Sequence, residues 1–179
     1  PTTVGQPLLF TQVAIIDDDE SCAPGETGEI VIDGPTVTPG YLDQEETRAV
    51  FNEHGLHTGD LGYRDGNGRV HVVGRLDDRI VTGGENVEPV EVAEAIESRP
   101  DVAEATVVGI PDPEWGERVG ALVVPEPGND LTAGAVEQTC RAELAPYKVP
   151  KSIAITETIP RTVSGTIDRE AVIEEIDGQ

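Results

Sequence analysis

The 179-residue chain has no methionine, two cysteines, one tryptophan and 3% aromatic residues. Cys22 and Cys140 lie far apart, which makes neither a disulfide framework nor a ligand cluster, so both are read as reduced thiols and no metal site is expected. No run approaches the ~18 to 20 apolar residues of a membrane span, and no basic segment precedes an apolar stretch at the N-terminus. These absences point to a cytoplasmic globular protein with no membrane partner. With 37% hydrophobic residues the chain can build a core. Since a methionine-free sequence opens directly on PTTVGQP, the natural start codon is expected upstream, and the chain is read as a fragment.

Positive charge is the scarcest resource. Against 35 acidic residues stand 12 lysines and arginines, a formal charge of −23, and only Lys148 and Lys151 are lysines. Repulsion on this scale opposes compaction unless salt shortens its range, from a Debye length of ~10 Å at 0.1 M to ~3 Å at 1 M. The acids are spread along the chain, not gathered in a tail, and the sequence is read as adapted to concentrated salt, as in a halophilic organism. Such a surface also repels a phosphate backbone, which excludes nucleic acid as a partner. One segment departs from the pattern. Between Tyr147 and Arg169, Lys148, Lys151, Arg161 and Arg169 face only Glu157 and Asp168. A positive island on so acidic a protein is a candidate site for an anionic ligand.

Periodicity separates the chain into two blocks. Leu8–Ile16, Glu29–Asp33 and Arg69–Val73 read as strands, so the first seventy-odd residues are β-rich. From Ile80 on, helices enter. A short strand, Ile80–Thr82, leads to Gly83-Gly84 and then to a helix with Val90, Ala93 and Ile96 on its apolar face, ended by Arg99-Pro100. Apolar runs at Val102–Ile110 and Val119–Val124 flank a turn at PDPEWGE. A second helix is expected after Asp130 as N-cap, a strand at 152–155, and a last helix capped by Asp168. This order predicts an α+β fold with helices on a small sheet. The charged, turn-prone GRLDD marks the boundary, giving 1–76 as the end of a β-rich larger domain and 77–179 as a small α+β domain.

Three short motifs carry the chemistry. His57–Asp60 (HTGD) puts a carboxylate on a turn, where it can accept two hydrogen bonds from a diol, and Arg75 can pair with the same hydroxyls or with a phosphate. Gly83-Gly84, directly after a strand, marks either a tight turn or a surface that another molecule approaches closely.

With these in place the sequence resembles the adenylate-forming enzymes, the superfamily of acyl-CoA synthetases, luciferases and peptide-synthetase adenylation domains. The resemblance is carried by GETGEIVIDGPTVTPGYL (25–42), HTGDLGYRDGNGRVHVVGRLDDRI (57–80), GGENVEPVEVAEAI (83–96), VVGIPDPEWGE (107–117), LAPYKVPK (144–151) and IPRTVSGT (159–166). GGEN and WGE look most like the acyl- and aryl-CoA ligase branch, including the o-succinylbenzoate ligases of menaquinone synthesis and the chlorobenzoate type. The resemblance implies an ATP-dependent acid–thiol ligase whose small C-terminal domain rotates as a lid. Its substrates would be a small-molecule carboxylate, ATP (bound as AMP) and CoA, with Mg2+ held mainly by residues outside this chain. By the same resemblance Asp60 holds the AMP ribose hydroxyls with help from Arg75, and Asp77 is the hinge. Gly83 and Gly84 would line the pantetheine tunnel, and Trp115 and Tyr147 would flank the CoA adenine, with Lys148 or Lys151 near its phosphates.

Two departures stand out. The family's phosphate-binding loop and Tyr-Gly-x-Thr-Glu motif are absent, so the chain alone is expected to be inactive. Thr166 occupies the position of the family's adenylation lysine, and Arg161 nearby is an available substitute cation. Two alternatives follow: a degenerate nucleotide- or CoA-binding relative without chemistry, or acyl transfer to a carrier protein in place of free CoA. The acid and the oligomeric state are left open.

Overall fold

A computed structural model describes residues 3–17 and 19–178. The chain divides by its contacts into two compact units, 1–77 and 78–179.

The first unit is an antiparallel sheet. It is built from β1 (Thr3–Gly5), β2 (Gln12–Asp17), β3 (Glu20–Ser21), β4 (Gly28–Asp33), β5 (Phe51–Asn52), β6 (Gly55–Arg64) and β7 (Val70–Arg75). The strand order is β1-β7-β6-β4-β2-β3, with β5 paired to β6. Ile15, Ile30 and Val70 form its main buried cluster, with Val13, Cys22 and Ile32 packed against it. A short helix, α1 (Gln44–Val50), buries no residue; Asp43 caps it by accepting from Glu45 N at 2.7 Å. The expected strand from Leu8 begins only at Gln12. Leu8–Thr11 instead forms a turn closed by Thr11 N donating to Leu8 O at 3.0 Å, with Phe10 at φ 70° and Leu8, Leu9 and Phe10 exposed. Alternation cannot separate such a turn from a strand, because the residues that make it are themselves apolar.

In the second unit, a five-stranded sheet carries helices on both faces. After β8 (Ile80–Thr82) and β9 (Glu85–Val87) come α2 (Pro89–Glu97), β10 (Val102–Asp112), β11 (Gly116–Pro125), α3 (Ala133–Glu143), β12 (Ser152–Ile155) and α4 (Arg169–Asp177). The order is β10-β11-β8-β9, and β12 joins β11 in parallel. Pleating sorts the long β10–β11 hairpin into two cores. Val107, Val119, Ala121 and Val123 pack with Val92 and Ile96 of α2 and Val136 and Cys140 of α3. Val108, Ile110 and Leu122 pack with Val172 and Ile176 of α4. Helices on either side explain why both strands read as continuous apolar runs.

Two helix details differ from the sequence expectation. Helix α2 buries Val92, Ala95 and Ile96 and leaves Val90 41% exposed, so its core face is turned away from the Val90–Ala93–Ile96 spacing. The N-cap of α3 is Thr132, whose Oγ1 accepts from Ala135 N at 3.3 Å, and not Asp130. Leu131, just before the cap, is buried in the same core as Val136, a hydrophobic staple that fixes the helix start two residues later than the expected Asp130 cap. Arg99 then ties α2 to α3, donating to Ala135 O at 3.1 Å and Thr139 Oγ1 at 2.7 Å.

These assignments predict that Ile96→Ala lowers stability by about 2–5 kcal/mol, whereas Val90→Ala changes it by no more than about 0.5 kcal/mol. Urea unfolding of the two variants checks this; equal losses would mean that α2 presents the other face.

Candidate functional site

The HTGD motif is a bulge. Strands β4 and β6 pair Glu29 with Leu61 and Val31 with His57, so Ile30 alone faces Thr58, Gly59 and Asp60. Extra residues of this kind interrupt a ladder and re-aim the side chains they carry. Each freed group finds a partner. Thr58 Oγ1 donates to Ile30 O at 2.7 Å, Gly59 N donates to Glu29 Oε1 at 2.9 Å, and Asp60 N donates to Thr58 Oγ1 at 3.1 Å. Gly59 sits at φ 69°, which explains the glycine. Glu29 Oε2 lies 2.6 Å from His57 Nδ1, while His57 Nε2 is buried without a partner among the described residues.

The bulge presents Asp60 beside Arg75, its register partner on β7, whose Nη1 donates to Asp60 Oδ1 at 2.9 Å. Both side chains are more than a third exposed, so the carboxylate has capacity left for further donors. Glu29 escaped the sequence reading. Its signal was an acid between glycine and isoleucine in a strand, a position where a charge needs a reason.

In the second unit, Gly83 and Gly84 form the two-residue turn between β8 and β9, at φ 59° and 85°. Positive φ at both positions is the signature of a type I′ hairpin. Gly83 also meets a close approach: a Cβ there would lie 2.6 Å from Trp115 Cε3, so the indole covers the turn. Gly83 N donates to Trp115 O at 2.9 Å. Beside Gly84 there is open space. Trp115 itself is 52% exposed, at the tip of the β10–β11 hairpin. Asp112 shapes that tip, accepting from Glu114 N at 2.9 Å and Trp115 N at 3.0 Å, and these N–H groups hold its carboxyl below the usual range.

The positive island is mostly neutralised. Lys148, in the 3-10 turn with Tyr147, reaches Glu91 at 2.6 Å and lies 5.8 Å from the Tyr147 ring centroid. Arg169 pairs with Asp78 at 2.8 Å. Arg161 pairs with Glu104 and donates to Gly165 O at 3.0 Å, so its guanidinium is committed locally. Lys151 is exposed at the start of β12 and has no ion pair among the described residues. Thr166 sits in a hydroxyl cluster, 2.7 Å from Thr162 Oγ1 and 3.2 Å from Ser164 Oγ, on the rim of a cleft of about 450 Å³ that also exposes Val90 and Ile167. Asp77 closes the first unit, in the 3-10 turn Leu76–Asp78. Among the described residues no three His, Cys, Asp or Glu side chains gather to hold a metal.

Comparison with known proteins finds relatives along most of the chain. The AMP-binding enzyme family matches residues 1–42, and the AMP-binding enzyme C-terminal domain matches residues 91–166. A feruloyl-CoA synthase of Amycolatopsis is 42% identical over 92% of this chain and 34% of its own length. A 2-succinylbenzoate–CoA ligase of Bacillus cereus is 42% identical over 90% of this chain and 33% of its own. The o-succinylbenzoate CoA synthetase of Bacillus subtilis, solved with its acyl-adenylate intermediate, superposes with a TM-score of 0.85 at 36% identity, covering 95% of this chain and 35% of that one. The chain belongs to the adenylate-forming, AMP-binding enzymes, and it spans about a third of the length of the curated relatives it matches.

Because Asp112 is held below its ordinary pKa by the folded turn, the stability it contributes is present above the usual carboxylate value of ~3.9 and is lost as pH falls through the lowered value. Fluorescence of the single tryptophan, followed through an acid titration, is expected to report this loss. Asp112→Asn, which still accepts both N–H groups, should flatten that part of the profile. An unchanged profile would remove Asp112 from the account.

Proposed function

We propose that this chain is the C-terminal part of an AMP-forming acid–thiol ligase acting in the cytoplasm of a salt-adapted cell. The observation that carries the reading is the bulged HTGD segment, which holds Asp60 beside Arg75 with acceptor capacity facing outward. In the first step a carboxylate oxygen of the acid attacks the α-phosphorus of ATP and pyrophosphate leaves, giving an acyl-AMP. In the second, the CoA thiol loses its proton, attacks the acyl carbon and expels AMP, leaving a thioester. Asp60 accepts from the ribose diol and Arg75 orients it. Asp77 is the pivot about which the second unit turns between steps. Gly83 and Gly84 wall the passage for the pantetheine arm; the open space beside Gly84 suits that role. The exposed face of Trp115, with Tyr147, receives the adenine, and Lys151 or Lys148 its phosphates. Mg2+ comes with ATP and is held by residues outside this chain.

Exposed Leu8, Leu9 and Phe10, together with relatives three times as long, support a larger lobe packed beside the first unit. For the acid, o-succinylbenzoate is our reading, on the likeness to the Bacillus enzymes, which would place the protein in menaquinone synthesis.

Thr166 favours a second reading. At the position of the family lysine a hydroxyl supplies no charge to the α-phosphate, and Arg161 is held by Glu104. On that reading the protein adenylates slowly or only binds nucleotide. Pyrophosphate release by the full-length protein, with a panel of acids and with or without CoA, separates the two. Release that depends on one acid, with thioester formed on free CoA, is expected; no release with any acid supports the binder, and thioester only on a carrier protein redirects the second step.

Thr166→Lys is expected to raise the adenylation rate by about 10² to 10³-fold, the usual worth of one preorganised contact in the transition state. No gain would show that the position does not serve adenylation in this protein.

A further inference from the structure

Strand β8 pairs with β11 at a single position, Thr82 to Gly116, so the ladder that should fix the Gly83-Gly84 hairpin to the sheet lapses at Val81. The Val81 N–H has no ladder partner on β11 at this point, and the chain supplies an acceptor from a side chain. Glu117 Oε2 receives Val81 N at 2.7 Å. The carboxylate is seated on Gly109 of the neighbouring strand β10, where a Cβ would come within 2.6 Å of Glu117 Oε1 and 2.9 Å of its Cδ. Gly109 has no positive φ and lies in the middle of an eleven-residue strand, where glycine is unfavourable. The carboxylate is the physical reason for it.

We infer that Glu117 is a positioning residue for the Gly83-Gly84 turn, and that Trp115, Gly116 and Glu117 act together as the strip on which the hairpin is docked. Trp115 covers Gly83 with its ring and accepts Gly83 N through its carbonyl, Gly116 makes the one ladder contact, and Glu117 takes the next amide along. Three consecutive residues of β11 and its turn therefore hold three successive residues of the hairpin, 81 to 83. The consequence for catalysis rests on the reading of this turn as the wall of the CoA passage: a hairpin that swings on β9 alone would open and close that passage at random.

Amide hydrogen exchange in the 179-residue chain tests the latch directly. Glu117→Ala is expected to speed exchange at Val81 about tenfold or more, the equivalent of one lost hydrogen bond, while amides in the centres of β10, β11 and α3 stay protected. Glu117→Gln keeps an acceptor oxygen and should restore protection. Gly109→Ala, with the glutamate still present, should free Val81 as Glu117→Ala does. If Glu117→Ala unfolds the unit, Glu117→Asp keeps the charge but is one methylene too short, and is expected to free Val81 in a folded chain. Unaltered Val81 exchange in a folded Ala or Asp variant overturns the inference. In the full-length protein the KM for CoA should rise about tenfold with Glu117→Ala and recover with Gln, with the adenylation half-reaction unchanged. A freed Val81 with unaltered KM for CoA would leave the latch standing and overturn the reading of the hairpin as the coenzyme passage.

Discussion

A carboxylate accepting a backbone N–H where strand pairing lapses is the interaction on which the functional loops depend. Glu29 does this at Gly59, Asp112 at Glu114 and Trp115, and Glu117 at Val81. Glu97 likewise accepts from Ala105 N, just beyond the register shift between Val102 and Glu104 of β10. Hydrogen bonds to an ionised acceptor are shorter and about twice as strong as neutral ones. They also ask nothing of the few cations available. A chain with 35 acids and 12 lysines and arginines has acceptors in excess, and it uses them to hold irregular backbone that regular ladders cannot hold.

That economy has a structural counterpart in the cores. Neither unit leans on large aromatic side chains; the buried positions are filled by valine, isoleucine, leucine and alanine. In the second unit the two-sided sheet makes this sufficient, because α2 and α3 on one face and α4 on the other bury successive residues of β10 and β11 in alternate directions. The hairpin is thereby fixed along its length, and its tip, where Asp112, Trp115 and Glu117 lie, is free to be specialised.

Elements set by local chemistry were legible in the sequence. The strand at Ser152–Ile155, the Asp168 cap that accepts from Ala171 N, and the Gly83-Gly84 turn all follow from residues within a few positions. Legibility ended where distant contacts decide. Nothing near Val90 says that Val92 and not Val90 faces the sheet, since both are valines one turn-half apart and the choice is made by α3 and β10. Helix α1 was not foreseen because it buries nothing, so no apolar period betrays it. The same limit applies to the candidate site. Asp60, Arg75 and the glycine pair stand in recognisable motifs, whereas Glu29 and Glu117 act on backbone 30 and 36 residues away, so nothing beside them in sequence names the group they hold.

The pairing of the positive island bears on how an anionic ligand would be received. Free cations on so acidic a surface would draw counterions at random, but Lys148, Arg161 and Arg169 are each held by a carboxylate distant in sequence, Glu91, Glu104 and Asp78. Pairs of this kind near the surface contribute roughly 0–1 kcal/mol, so they orient a side chain without locking it. A phosphate carries more charge than the carboxylate it would displace, and exchange of Glu91 for phosphate at Lys148 would cost little. High salt weakens both contacts, the pair and the repulsion from the surrounding acids, and the repulsion acts over the longer distance. Screening therefore removes more of what keeps an anion away than of what holds it.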